Sequence, residues 1–257
     1  MALTELYALN YQLRSLGLTT RDSELYRRAM ICPIPGGFLV AVEGIDGSGK
    51  TTQAERLVRY CDEKRLTYIL SKEPTSGKYG QLIRNSASRG RLSVEEELDI
   101  LLKDRREHVD QVIQPALDQE KVVILDRYYF STAAYQGARG ADPEIILSRN
   151  EAFAPQPDLL VILDVSPQTG LQRIRERGDE PNKFETSDSL ERARAIFNQI
   201  DRPYKIGLNG EDLVDMIGSS IMYAFQRAAA EKIAKYDVSP SGVNRMRQLF
   251  GGTPILA

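Results

Sequence analysis

From residue 38 onward, short continuous apolar runs alternate with longer stretches of helical spacing. Residues 38–42, 66–70, 122–125, 159–163 and 213–217 read as five buried strands. Between them, residues 51–64 place Ala54, Leu57, Val58 and Cys61 on one helix face. Residues 94–119 form a long helix with Leu98, Leu101, Leu102, Val109, Val112 and Ile113 as its apolar stripe. A last helix follows the Gly218-Ser219-Ser220 turn and runs to about Lys235. Uninterrupted apolar strands separated by helices predict an α/β fold with a five-stranded parallel sheet covered by helices on both faces. Right-handed crossovers bring the strand carboxyl ends to one edge, where ligands of such sheets bind. The residues of interest cluster just past those ends, at 44–51, 72–75, 126–127 and 164.

The two ends of the chain stand apart from this pattern. Leu3, Leu6, Leu9, Leu13 and Leu16 fall near helical spacing, and Gly17 can end that helix. Cys-Pro-Ile-Pro-Gly-Gly at 32–37 is a hard break. The reading is an N-terminal helical extension, 1–36, a main domain, 37–236, and a tail, 237–257, with helical spacing over 243–250. Residues 177–189 are polar, contain Gly178 and Pro181, and read as a mobile loop.

Composition narrows the class. The 257 residues suffice for one large, well-buried domain. Lys and Arg number 34 against 36 Asp and Glu, so no basic excess suggests nucleic acid or an anionic membrane as partner. Two cysteines, Cys32 and Cys61, make no disulfide framework, which points to a reducing compartment. No apolar run reaches the roughly 20 residues of a membrane span. Glu5 interrupts any secretory leader, and Asp22 and Glu24 fit a transit peptide poorly, so the expectation is a cytoplasmic protein.

The sharpest motif is Gly44-Ile-Asp-Gly-Ser-Gly-Lys-Thr51, between the first strand and the first helix of the domain. Its glycines let the backbone N–H groups turn inward around anionic oxygens, and the helix adds its positive end. The loop Gly44, Ile45, Asp46, Gly47, Ser48, Gly49, Lys50, Thr51 and Thr52 is therefore the expected ATP site of a P-loop NTPase fold. Lys50 would reach the β- and γ-phosphates and Thr51 a Mg²⁺ ion. Asp126-Arg127 ends the third strand. Read alone it is a common surface ion pair. Beside a P-loop, Asp126 can hold the metal and Arg127 can stabilise a transferring phosphoryl group.

Taken together, Glu43-Gly-Ile-Asp-Gly-Ser-Gly-Lys-Thr-Thr52, Lys72-Glu-Pro-Thr75, Asp104-Arg105, Asp126-Arg-Tyr128 with Ser131, Ala134-Tyr-Gln-Gly137 and Pro157-Asp158 resemble the thymidylate kinase family from about residue 38 to 235. The resemblance implies a three-layer P-loop kinase with a lid, a homodimer, and transfer of the ATP γ-phosphoryl to dTMP with Mg²⁺. It implies that Asp46 meets the sugar 3′-hydroxyl and that Tyr135 crowds the 2′ position. Arg105 would read the base, with Thr132 and Gln136 lining its pocket. Arg127 would hold the acceptor phosphate, assisted by Lys72. With no arginine in the P-loop, the lid supplies the catalytic cation; Lys183, Arg177 and Arg173 are the candidates.

The chain departs from the family in three places. Leu101 stands where an aromatic residue stacks on the base, Lys72 replaces an arginine, and the two terminal segments have no counterpart. Leu101 keeps a second acceptor open: another nucleotide or a small phosphorylated molecule. The extra termini keep open an ATP-binding sensor with little turnover. No Asn-Lys-x-Asp motif supports a GTPase. The lone histidine, His108, beside Glu107 on the long helix, reads as a surface or partner-facing residue.

Overall fold

The computed structural model describes residues 33–89, 92–178 and 186–236. Five strands, β1 (Phe38–Glu43), β2 (Tyr68–Lys72), β3 (Val122–Asp126), β4 (Leu159–Asp164) and β5 (Lys205–Asn209), form one sheet in the order β2-β3-β1-β4-β5. Every pairing is parallel. The helices are α1 (Lys50–Lys64), α2 (Lys78–Arg89), α3 (starting as Val94–His108), α4 (Tyr129–Gly137), α5 (Pro143–Glu151), α6 (Pro167–Glu176), α7 (Ser187–Gln199) and α8 (Val214–Tyr236). This is the expected α/β architecture.

Alternation along the strands sorts the core into two layers. Leu39, Ala41, Val123, Leu125, Leu160 and Ile162 face one way, against α3, α4, α5 and α7. Phe38, Val40, Val42, Val122, Ile124, Leu159, Val161 and Leu163 face the other, against Ala54, Leu57 and Cys61 of α1 and the stripe Ile217, Ile221, Phe225, Ala229 and Ile233 of α8. Both faces of β1, β3 and β4 are therefore dry, and these are the strands that read as unbroken apolar runs.

The fifth strand differs from expectation. Residues 213–217 are not a strand: Leu213 is exposed and α8 begins at Val214. The strand is Lys205–Asn209, at the sheet edge, where only Ile206 and Leu208 pack on the core. An edge strand with two inward residues lacks the apolar run that identifies a central one. The apolar start of α8 mimics one, because Ile217 opens a four-residue helical repeat. The second strand lies two residues later than expected, so Lys72 is its last residue. Helices α2, α4, α5, α6 and α7 were not foreseen, and Ser187 already belongs to α7. The N-terminal helix, Cys32, Lys183 and the tail lie outside the described residues, and Ile34 packs fully buried in the core.

The long helix is continuous but widens at Val109–Ile113 before its last turn, Gln114–Asp118. There the Gln114 N–H reaches back five residues to Val109 O. Pro115 explains the change, since its ring and missing N–H break the regular ladder.

Pro157-Asp158 has a structural task. The Asp158 carboxylate accepts the Leu39 N–H at 2.8 Å and pairs with Lys232 of α8. It pins the start of β1 to the α8 layer. Asp158→Ala leaves that N–H and that ammonium without their partner, and should cost about 2 kcal/mol. A lower urea midpoint with an unchanged m-value is the expected result.

Candidate active site

The β1–β3 register pairs Val42 with Asp126 and so sets the P-loop beside the turn after β3. Gly44 (φ 141°) and Gly47 (φ 79°) take backbone conformations that side-chain-bearing residues avoid. A Cβ on Gly44 would lie 2.4 Å from Leu163 O, and one on Gly47 2.2 Å from Gly170 O. The loop is thus wedged between β4 and α6. Gly49 ends it in left-handed conformation, and α1 starts at Lys50 with its first N–H groups facing the loop mouth. Thr52 is exposed on that first turn, and Ile45 and Ser48 are buried beneath the loop.

Lys50 folds back over its own loop, with Nζ 3.0 Å from Gly44 O and 2.8 Å from Ile45 O. Burial pushes its pKa down, helped by Arg127, while Asp46, Asp126 and Glu43 oppose the shift. The Thr51 hydroxyl donates to Asp126 Oδ2 at 2.5 Å, so the two expected metal ligands touch.

A cavity of about 300 Å³ opens over this loop. Lys50, Lys72, Arg84, Arg127 and Arg177 line it together with Asp46, Glu73 and Asp126. That cationic lining suits phosphate groups. Arg84, on α2, was not among the sequence candidates. Its NH1 and NH2 donate to the Pro74 and Thr75 carbonyls, which seats it at the cavity rim. A helical reading of 78–89 would have placed it near Lys72.

Arg127 sits in left-handed conformation (φ 74°), its N–H bonded to Val42 O. Its guanidinium pairs with Asp46 and lies 5.4 Å from the Tyr135 ring centre. The Tyr135 hydroxyl donates to Asp46 Oδ2 at 2.7 Å and accepts the Asp46 N–H at 3.1 Å. Burial works to raise the Asp46 pKa, but Arg127, Lys50, the Tyr135 hydrogen bond and Arg177 together hold it below the usual range. Behind them, Glu43 is fully buried, and burial lifts its carboxyl well above the ordinary range despite Ser131, Arg127 and Tyr128.

The remaining candidates lie outside the cavity lining. Arg105 is 2% exposed. Its Nε donates to Glu73 at 2.8 Å, NH1 to Asn150 at 2.5 Å and NH2 to Thr132 at 3.1 Å. At least three of its five N–H groups are therefore spent inside the protein. Gln136 is buried between Glu97 and Arg139, which fix its amide. Leu101 is buried on α3. Arg173 turns to the Gly210 carbonyl at 2.9 Å and the Gly47 carbonyl at 3.4 Å, bracing the P-loop from α6.

His108 is a correction: it is buried, not on the surface. Its Nδ1 lies 2.9 Å from Glu73 and Nε2 2.8 Å from Ser71. Glu73 only accepts, so Nδ1 carries the proton between them. Asp104 adds two bonds to Thr75, from its N–H at 2.7 Å and its hydroxyl at 2.6 Å. Asp104, Arg105 and His108 of α3 thus clamp the 72–75 loop. Nothing in a single sequence marks which distant carboxylate a helical histidine will meet.

Burial works to raise the Glu73 pKa, but Arg105 and His108 overcome it and hold the carboxyl low. Glu73→Gln strands the buried Arg105 charge and should cost about 3–5 kcal/mol near neutral pH. A carboxylate with a lowered pKa stabilises above its ordinary range, and that stabilisation is lost as pH falls through the lowered value. The difference in urea midpoint between the two proteins should therefore hold near neutrality and close only below about pH 4.

Comparison of the sequence with known proteins identifies the family. The thymidylate kinase family model matches residues 42–214. A thymidylate kinase of Xanthomonas euvesicatoria pv. vesicatoria (strain 85-10) is 48% identical over 220 residues, covering 86% of this chain and 97% of that protein. One from Xanthomonas campestris pv. campestris (strain B100) is 55% identical over 171 residues, 66% of this chain and 75% of its own. One from Xylella fastidiosa (strain M12) is 54% identical over 172 residues, 67% and 79% respectively. By these matches the chain belongs to the thymidylate kinase family.

Proposed function

We propose that this protein transfers the γ-phosphoryl group of ATP to dTMP, giving dTDP. The observation that carries the reading is the cationic cavity over the P-loop, with the Asp46–Arg127–Tyr135 cluster at its side. It has a phosphate-binding half and, next to it, a half suited to a sugar hydroxyl and a second phosphate.

The P-loop N–H groups hold the β- and γ-phosphates of ATP. Lys50 exchanges its two neutral carbonyl partners for phosphate oxygens as the nucleotide binds. Thr51 and Asp126 are the residues that would hold Mg²⁺. A hydroxyl and a carboxylate 2.5 Å apart fit an ion that takes few protein ligands and keeps several waters. When bound, the metal neutralises charge on the transferring group. Arg127, Lys72 and Arg84 all line the cavity, and their charge lets the acceptor and donor phosphates approach despite their repulsion.

Asp46 accepts the sugar 3′-hydroxyl, and the Tyr135 ring, hydrogen-bonded to Asp46, leaves no room for a 2′-hydroxyl. Arg105, oriented by its buried partners, is the residue to read the base, beside Thr132 and the fixed amide of Gln136. Leu101 supplies apolar contact but no stacking face. Of the lid candidates, Arg177 lines the cavity, whereas Arg173 acts through the P-loop backbone; Lys183 remains a candidate for the transferring phosphoryl. A cytoplasmic homodimer completes the reading.

An ADP-release assay with Mg²⁺-ATP over dTMP, dUMP, dCMP, dAMP and dGMP tests the reading. The expected result is preference for dTMP; no turnover with any of the five refutes it. Lys50→Ala and Arg127→Ala should each lower kcat/KM by about 10²–10³-fold while melting stays cooperative. Leu101→Phe should raise dTMP efficiency by adding a stacking face, worth about 1–3 kcal/mol at most.

A further inference from the structure

Glu43 closes β1, immediately before the P-loop, yet its side chain points to the other loop of the site. Its Oε1 accepts the Tyr128 N–H at 2.7 Å and the Ser131 N–H at 3.1 Å. Its Oε2 accepts the Ser131 hydroxyl at 2.5 Å. The Ser131 oxygen in turn accepts from Arg127 NH1 at 3.2 Å. A carboxylate that is 0% exposed thus serves as a long-range cap for the first turn of α4, where Tyr128, the N-cap residue, makes no side-chain cap of its own.

The arrangement matters because of what precedes Tyr128. Arg127 leaves the sheet in a left-handed conformation that is costly for a residue with a side chain. Three contacts hold it there: its own N–H to Val42 O, the next residue's N–H to Glu43, and NH1 through Ser131 to the same carboxylate. The guanidinium's other arm, NH2, is then aimed at Asp46 and the cavity. Glu43 does not line the cavity and has no direct hydrogen bond to Arg127 among the described residues.

We infer that Glu43, acting through Ser131, is a positioning residue for Arg127 that orients its guanidinium towards the acceptor phosphate. The inference rests on the proposed phosphoryl transfer for its kinetic consequence, but its geometric content stands apart from it. Removal of the relay leaves the P-loop and its lysine in place. The acceptor half of the site should therefore suffer while the ATP half does not.

The test uses the full chain and three single variants, Glu43→Gln, Ser131→Ala and Ser131→Thr, with the double variant Glu43→Gln/Ser131→Ala. Turnover is measured with dTMP and ATP, and ATP binding by calorimetry without acceptor. The expected result is a loss of at least tenfold in kcat/KM for dTMP in Glu43→Gln and in Ser131→Ala. Ser131→Thr keeps the hydroxyl and should stay within about threefold of the parent. The double variant should be hardly worse than Glu43→Gln, because both residues belong to one chain of contacts. In Ser131→Ala, which leaves the charge that Glu43 sets near Lys50 in place, the ATP dissociation constant should change by less than about twofold. Losses that multiply in the double variant, or ATP binding that falls in step with turnover in Ser131→Ala, would overturn the inference. A crystal structure of Ser131→Ala reads it without any reaction: the Arg127 guanidinium should leave Asp46, and if it stays, the inference fails. Absence of dTMP turnover in the parent protein would instead count against the proposed function, with the crystallographic result still deciding the role of Glu43.

Discussion

The site depends on one register. Parallel pairing sets Val42 of β1 against Asp126 of β3, and three consequences follow from that single alignment. Asp126 comes within reach of Thr51, the Arg127 N–H finds Val42 O, and Glu43 meets the N–H groups of the turn after β3. A slip of one residue would turn every side chain of the strand to the opposite face. Two dry core layers exclude that slip, since each strand would have to exchange one packed set of apolar residues for the other. Hydrophobic packing on both sides of the sheet is thus what gives the polar groups at its edge their positions.

Those polar groups are held in opposed pairs at low exposure. Glu73 with Arg105, and Asp46 with Arg127, are carboxylate–guanidinium contacts in which the guanidinium helps to keep the carboxylate charged. Such pairs are weak evidence for stability, because removing charges from water costs several kcal/mol per ion. Their effect here is orientation. Arg105 is fixed from three directions before any ligand arrives, and Gln136 is fixed from two. A pre-oriented donor set pays little ordering entropy on binding. Lys50 differs: its partners are backbone carbonyls of its own loop, so it can exchange them for phosphate without stranding a buried carboxylate.

The central strands, α1, the long helix and the P-loop could be read directly from the chain, because apolar runs and glycine spacing are local signals. The edge strand β5 and the short helices could not. Ile206 and Leu208 alone mark the former, and α4 packs so many small and aromatic residues that no polar face stands out. In the site, Lys50, Thr51, Asp126 and Arg127 were legible because motif and strand end coincide. His108 was misread because its contacts with Ser71 and Glu73 lie more than 30 residues away, which no local periodicity encodes, and Arg84 was missed because the helix that carries it, α2, was not read from the chain. Glu43 and Ser131 were visible as letters of motifs, but their mutual bond spans 88 residues.

At Gly47 and Gly170 the P-loop and α6 meet backbone to backbone. A Cβ on Gly47 would lie 2.2 Å from Gly170 O, and one on Gly170 would lie 2.5 Å from Asp46 O. Neither position can therefore accept even a methyl group while the other chain segment stays where it is. The smallest mutational step at either glycine is closed, and no single compensating exchange at the partner reopens it, since the partner already has nothing left to remove. At this one crossing the two backbones leave room for nothing larger than hydrogen on either side.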